Sequence, residues 1–93
     1  MDDWRDAMKA LIPDHMWGAV ERYIDKGISP GSFVGAVFSN DLLHACQAAD
    51  IINKRNIAAW GEFMLYVPMG CFGSRELVRA WCNGGGIEGM RKE

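Results

Sequence analysis

Residues 66–81, YVPMGCFGSRELVRAW, place a cysteine and a serine in a glycine-containing loop that leads into a predicted amphipathic helix. A phosphate-binding P-loop requires G-x-x-x-x-G-K-[ST], whereas no lysine precedes Ser74. The nucleophile elbow G-x-S-x-G connects a strand to a helix, but a predicted helix precedes this loop. We therefore predict a structural turn, in which Gly70 and Gly73 allow the backbone to turn and Ser74 caps the last helix.

A catalytic Cys71 would require a nearby base, either His15 or His44, and a feature that lowers the thiol pKa. His44 flanks a predicted apolar stripe. Cys46 and Cys82 fall on apolar helix faces, where a free cysteine behaves as a small hydrophobic residue. We expect all three thiols to be structural, with Cys71 as the one that solvent reaches.

Metal and acid–base chemistry have little support in the residue spacing. The chain has no C-x-x-C or H-x-x-x-H pair that would anchor two metal ligands, and Glu62 and Glu76 stand at unrelated positions. The odd number of widely spaced cysteines, 3, favours reduced thiols of a cell interior over a disulfide framework. The sequence thus predicts no enzyme activity, no metal site and no cofactor.

Asp50, Asn53 and Asn56 interrupt the apolar stripe of the longest predicted helix. They form either a polar seam that pairs with backbone groups of a packed loop or a ridge that faces a ligand. We favour the seam, because buried polar groups are consistently paired. Asp50 or Asn53 is then the expected hydrogen-bond acceptor for buried amides of the 68–74 loop.

Composition indicates one small globular domain: 93 residues, of which 49% are hydrophobic, with 4 tryptophans. The formal charge of -2 neither provides a strong basic surface for nucleic acid nor imitates a nucleic acid. No apolar run has the length of a membrane span, and the beginning, MDDWRDAMKALI, is acidic and amphipathic, unlike a signal peptide. We expect a cytoplasmic protein without membrane contact.

Apolar spacing predicts an all-α fold, a compact bundle of about five helices spanning residues 1–93 as a single domain. The first helix is capped by Asp2 or Asp3 and ends before Pro13. The second runs from Pro13 to Gly27. The third begins with Ser29 as its N-cap and proline at its first position.

The second half of the chain contains the two remaining predicted helices. Asn40 ends the third helix or caps the fourth, which continues to Val67, with residues 53–56 as a bend or break. The last helix begins at Ser74 and ends at the glycines 84–86. The final few residues are expected to form a flexible tail.

Aromatic and arginine residues suggest where a partner would bind, because interface energy concentrates in them. Trp60 and Trp81 lie on predicted core stripes, whereas Trp4 and Trp17 are the tryptophans least committed to a core; alternatively, both cover the core edge. The predicted contact surface lies on the first two helices and contains Trp4, Arg5, Trp17, Glu21 and Arg22. The exposed side of the last helix, with Arg75 and Arg79, is the alternative. A second hypothesis is a nucleic-acid-binding or transcriptional factor with phosphate contacts from Lys54, Arg55, Arg75 and Arg79.

The order of segments resembles a group of small proteins encoded by phages and prophages, with the patterns IPxHM, RYIxxGIxPGSF, AVxxNDL, AxxAD and PxGCxGSxxxVxxW. The likeness covers residues 12–81. One departure is FVGAVFSND, where such proteins often have FLTAVLSND; the extra glycine weakens a helix by up to about 1 kcal/mol, which predicts a short third helix.

This resemblance implies an accessory protein of a mobile element that binds a protein of its bacterial host. Inhibition of a defence complex such as CRISPR-Cas is the concrete form of that expectation. The resemblance carries over no catalytic residue and assigns no oligomeric state.

Overall fold

The computed structural model describes residues 3–91, and their regular structure is helical throughout, with no strand in that range. The all-α prediction is confirmed, but these residues form eight α-helices and not about five. They are α1 (Trp4–Leu11), α2 (Trp17–Lys26), α3 (Ser32–Phe38), α4 (Leu42–Ala48), α5 (Ile51–Arg55), α6 (Ile57–Phe63), α7 (Arg75–Gly84) and α8 (Gly86–Arg91), with a 3₁₀ helix at Asp14–Met16. None of these helices is both long and apolar enough to cross a membrane.

The long fourth helix of the prediction is in fact α4, α5 and α6. Asp50 has an extended backbone, and its carboxylate accepts a hydrogen bond from the amide of Asn53 at 2.8 Å, so it begins a new helix. Asn56 has φ -113° and ψ 21°, outside the helical region, and separates α5 from α6, which confirms the break predicted within residues 53–56. Polar residues within the apolar pattern therefore cap and break the helix.

The start of α3 also differs from the prediction. Ser29 is not its N-cap: α3 begins at Ser32, after Gly31 with φ 90° and ψ 178°. Gly31, whose positive φ favours glycine, is the N-cap, so α3 begins two residues later than it would with Ser29 as the N-cap. Of the two predicted roles of Asn40, the first is confirmed: with φ 62° it ends α3 in the left-handed conformation, whereas Asp41 caps α4.

Three other helix boundaries agree with the prediction. Asp3 accepts a hydrogen bond from the amide of Arg5 and caps α1, while Asp2 lies outside the described residues. Gly27 ends α2 in the left-handed conformation, with φ 71°. The hydroxyl of Ser74 accepts a hydrogen bond from the amide of Leu77 at 3.1 Å and caps α7.

The predicted tail, residues 87–93, is helical as far as Arg91, because α8 spans Gly86–Arg91. A turn of left-handed glycines, Gly85 with φ 80° and Gly86 with φ 68°, ends α7 and starts α8. A Cβ at Gly86 would lie 2.7 Å from the backbone of Asp25 and of Gly27. The close approach of two glycine backbones thus packs α8 against the end of α2; residues 92–93 lie outside the described range.

The core is a chain of aromatic rings in edge-to-face contact. Tyr23 meets Phe38 at 4.9 Å between ring centroids, and Phe33 meets Trp60 at 5.0 Å. Phe63 lies 6.4 Å from both Phe38 and Trp60 and joins the two pairs. Edge-to-face pairs contribute about 0.5 to 1.5 kcal/mol each beyond burial, so this chain joins α2, α3 and α6.

Trp81 connects α7 to this core through its indole nitrogen. The nitrogen donates to the carbonyl oxygens of Tyr23 at 3.0 Å and of Ile24 at 3.2 Å. These carbonyls belong to the last turns of α2. The predicted core position of Trp81 is confirmed, since its exposed fraction is 8%.

Candidate protein-binding surface

The glycine-containing loop, residues 68–74, is held by backbone groups and by one buried tyrosine. The hydroxyl of Tyr23 donates to the carbonyl oxygen of Cys71 at 2.6 Å, and the amide of Gly73 donates to the carbonyl oxygen of Phe38 at 2.8 Å. The expectation that Asp50 or Asn53 would pair with the loop amides is wrong. The partner comes from α2, 48 residues away from Cys71.

Cys71 is fully buried, which corrects the expectation that solvent reaches it. Burial raises the pKa of its thiol to about 12, so the thiol stays protonated at neutral pH. A protonated thiol without solvent access is a poor nucleophile. The loop is therefore a structural turn around a buried cysteine, and Cys46 and Cys82 are the partly exposed thiols.

Asp50 and Asn53 have local structural contacts. Asp50 lies 3.1 Å from the Nε2 atom of His15, and its pKa is lowered by the Asn53 amide and then by His15. Asn53 is 2% exposed, and its side-chain oxygen accepts a hydrogen bond from the indole of Trp60 at 3.2 Å. The Asn56 side-chain amide donates to the carbonyl oxygen of Ile52.

The two tryptophans of the predicted contact surface are not free aromatic anchors. Trp4 is 8% exposed and belongs to the core, because α1 packs against α6. The guanidinium of Arg5 covers its ring at 4.4 Å and also pairs with Asp25. Trp17 is half-buried, and its indole donates to the carbonyl oxygen of Ile12 at 2.8 Å.

The first two helices consequently present charge to the solvent. Arg5, Glu21, Arg22, Asp25 and Lys26 line a shallow groove along α2. Both signs of charge alternate there, and surface ion pairs of this kind contribute little affinity. This side of the molecule has the predicted residues but lacks the exposed aromatic rings that the prediction required.

A different surface, on the side of α4 and α6, is largely apolar. An apolar cleft of about 120 Å³ opens there, and we call it the α4–α6 cleft. Its lining is mostly aliphatic and aromatic, with Asn40 and Asp41 at its polar edge: Val37, Leu42, Ala45, Ile57, Trp60, Gly61 and Met64. A cavity of roughly 150 Å³ holds one benzene ring, so this cleft is the size of one apolar side chain.

Large apolar side chains are exposed beside the cleft and along the following segments. Leu42 and Leu43 in α4 are each 68% exposed, and Met69 in the loop is 97% exposed. Further exposed members are Ile51, Ile52, Leu65 and Tyr66. Single exposed apolar residues are ordinary, and of these residues only Leu42 lines the cleft.

Asp41 connects this cleft to the arginines of α7. One oxygen of its carboxylate accepts from Arg75 at 2.8 Å and lies 2.6 Å from the Nδ1 atom of His44. The hydrogen bond from Arg75, followed by those from His44, lowers the pKa of Asp41 to about 2. Asp41 is therefore ionised at neutral pH and positions the guanidinium of Arg75.

Arg75 and Arg79 line an open groove of about 370 Å³ between α7 and the segment that begins α3. The structure thus brings together the two arginines that the sequence placed one turn apart. Lys54 and Arg55, the other predicted phosphate contacts, do not line this groove. The four basic residues of the nucleic-acid hypothesis accordingly share no single groove.

The sequence interpretation missed Asp41, Leu42 and Leu43 as surface residues. The two consecutive leucines did not indicate exposure, because the consecutive residues Phe33 and Val34 of α3, which also has seven residues, are both buried. The ion pair with Arg75 joins residues 34 apart in the chain, which spacing alone does not show.

No protein-family model, no curated protein and no solved structure matches this chain. Within residues 3–91, no group of three or more His, Cys, Asp or Glu side chains is placed to hold a metal ion.

Proposed function

We propose that the protein is a phage or prophage accessory protein that acts by stoichiometric binding to a protein of its bacterial host. A host defence complex such as CRISPR-Cas is the target class that the sequence resemblance suggests. The observation that carries the proposal is the α4–α6 cleft with exposed leucine at its edge. This arrangement supports binding by contact.

The size of the cleft favours a protein partner over a small-molecule ligand. Sites for drug-sized ligands and cofactors enclose about 300 to 1,000 Å³, whereas this cleft encloses about 120 Å³. One apolar side chain of a partner fills such a space, and central pockets of this kind receive the residues that dominate interface energy. Leu42, 68% exposed in the free protein, becomes buried at the same contact.

Two adjacent leucines provide a matched test. Leu42 and Leu43 are equally exposed, but only Leu42 lines the cleft. Immobilised protein is used to capture partners from a lysate of the bacterial host, and mass spectrometry identifies them. Calorimetry with the purified partner then measures stoichiometry and affinity for the original protein, Leu42→Ser and Leu43→Ser.

The proposal predicts a 1:1 complex whose affinity falls by about 30-fold in Leu42→Ser, the factor that corresponds to about 2 kcal/mol at an interface anchor. Leu43→Ser is expected to change affinity much less. The proposal is contradicted if no specific partner is captured from the host, or if Leu42→Ser and Leu43→Ser lose equal amounts of affinity. If the partner is a defence complex, expression of the protein should also restore plating of a phage that the defence normally blocks.

Nucleic-acid binding is the second candidate, and the charges argue against it. Arg75 is already paired with Asp41, Glu76 is its neighbour, and the formal charge of the chain is -2. Binding to a phosphate backbone without sequence preference requires several lysine or arginine contacts on one face. Host-protein binding therefore has the stronger support.

A further inference from the structure

The groove beside α7 carries a feature that the proposed contact at the α4–α6 cleft does not use. We call it the arginine groove; the lining residues that matter here are Ser29, Ser32, Ser39, Arg75, Val78 and Arg79. Past Ser32 and Arg75 it continues into a second open groove of about 340 Å³, which His44 and Gln47 line on α4. A segment of extended chain, longer than one side chain, has room along this path.

Arg79 is the positive group that remains available in this groove. It is exposed, and within residues 3–91 no carboxylate lies at salt-bridge distance from it, whereas Arg75 pairs with Asp41. The two guanidinium groups project from positions one turn apart on the same helix, where like charges repel. An anion bound between them would remove that repulsion and pair Arg79.

Ser39 supplies a second, independent indication. It is 7% exposed and lines the groove, and its hydroxyl makes no hydrogen bond to a group of residues 3–91. Buried polar side chains are normally paired, so an unpaired hydroxyl at a groove wall is available to a ligand oxygen. Ser29 and Ser32 place two more hydroxyl-bearing side chains along the same wall.

The remaining lining distinguishes a carboxylate from a phosphate backbone. Pro30, Val78 and Cys82 give the groove apolar walls between the polar groups. A nucleic acid presents a charge at every step and gains affinity from many basic contacts, which this groove does not have. A peptide with one or two acidic side chains among apolar ones matches two arginines separated by apolar walls, and carboxylates bind arginine in a bidentate manner.

We infer that the arginine groove is the docking site for an acidic segment of a protein partner, with a carboxylate held by Arg79 and Arg75 and by the Ser39 hydroxyl. The inference rests on the proposed function, because it gives the chemistry of part of the partner. Arg75 then exchanges its contact with Asp41 for the partner's carboxylate or shares the guanidinium between both.

The test is an amide-resolved NMR titration with two synthetic probes, acetyl-Leu-Glu-Glu-Leu-amide and its counterpart with glutamine in place of glutamate. The acidic peptide should produce saturable shifts in residues 29–39 and 75–82, with affinity at least about tenfold above that of the glutamine peptide. Arg79→Gln should weaken the acidic peptide by about tenfold. Arg55→Gln, which changes an exposed arginine of α5 outside the groove, should leave its affinity unchanged.

Equal binding of the two peptides, absence of saturable shifts, or unchanged affinity in Arg79→Gln would overturn the inference. A single-stranded DNA dodecamer that shifts the same amides more strongly than the acidic peptide would assign the groove to nucleic acid and overturn it as well. If Arg79→Gln captures the host partner with unchanged affinity, the inference fails and the proposed function stands. If no host partner exists, the proposed function fails, and the peptide titration still decides the groove.

Discussion

Arg75 of α7 donates a hydrogen bond to Asp41 at the start of α4, with 2.8 Å between Nη2 and Oδ2. Asp41 lines the α4–α6 cleft and Arg75 lines the arginine groove, so this one contact lies between the two candidate binding features. Any partner that rearranges the guanidinium of Arg75 also affects the cap of α4.

The Asp41 contacts predict a pH-dependent contribution to stability. The folded-state pKa of Asp41 is about 2, lower than its ordinary value of 3.8. A lowered pKa means that the contribution is fully present above about pH 4 and disappears as the pH falls through 2. Asp41→Asn keeps an N-capping side chain but removes the charge, so its melting temperature should lie below the original at pH 7.

Thermal unfolding at pH 7 and at pH 2 measures this effect. The difference between the original and Asp41→Asn should shrink at pH 2, where about half of the Asp41 carboxylates of the original protein are themselves protonated. Arg55→Gln serves as the control, since Arg55 is exposed on α5 and has no carboxylate partner within residues 3–91. A difference of equal size at both pH values would contradict the prediction.

Tyr23→Phe should destabilise the protein, because it removes the only side-chain donor to the Cys71 carbonyl among residues 3–91. A buried polar group left without a partner costs about 1 to 3 kcal/mol. For a domain of this size, each kcal/mol lowers the melting temperature by about 4 to 8 °C. Chemical denaturation gives the free energy directly. Tyr66→Phe, at a tyrosine that is 49% exposed, should change stability by less than about 0.5 kcal/mol.

The three thiols should react with iodoacetamide in the order Cys46, Cys82, Cys71. Cys46 and Cys82 are partly exposed, and burial raises the pKa of Cys82. With its pKa of about 12, Cys71 has a thiolate fraction at pH 8 about a thousandfold below that of an ordinary thiol. Peptide mass spectrometry after timed alkylation measures the order of reaction. In urea-unfolded protein the three thiols should react at similar rates. Rapid alkylation of Cys71 in folded protein would restore it as a candidate nucleophile.

Gly86→Ala should be strongly destabilising, whereas Gly35→Ala should not. An alanine at Gly86 would need a left-handed backbone, which costs about 1 to 2 kcal/mol, and its Cβ would lie 2.7 Å from the backbone of Asp25. Overpacking adds about 1 to 3 kcal/mol. At Gly35, inside α3, no atom apart from the adjoining residues and the helix's own backbone lies within 4 Å of the added Cβ, so alanine should stabilise by up to about 1 kcal/mol. Equal stability of the two variants in urea would contradict this account of the α2–α8 contact.

The features that the sequence predicted are those set by local physics. Caps such as Asp3 and Ser74 and the stop at Gly27 depend on neighbours within one turn, and the apolar period is enough to predict an all-α fold. The division of the fourth helix was also local in origin, since Asp50 caps its own helix. The sequence analysis instead interpreted Asp50 as a long-range partner of the 68–74 loop.

The features that could not be predicted depend on contacts between distant segments. Trp4 enters the core because α1 packs against α6, and the loop carbonyl of Cys71 finds its donor in Tyr23 of α2. Helical period places Leu42 on α4 but does not show which neighbours leave it exposed. The arginine pair of α7 was predicted from spacing, whereas the pairing of Arg75 with Asp41 required the fold.

The hydrogen bonds from Trp81 to the end of α2 have a consequence for the order in which the chain acquires its structure. Ribosomes add roughly 5 to 20 residues per second, so the 57 residues that follow Ile24, up to and including Trp81, take about 3 to 11 s to synthesise. During that interval α2 is already made, yet the carbonyls of its last turn still lack their indole donor. The nascent chain therefore completes the contacts at the end of α2 only after α7 has emerged. A chain arrested before Trp81 should remain sensitive to protease.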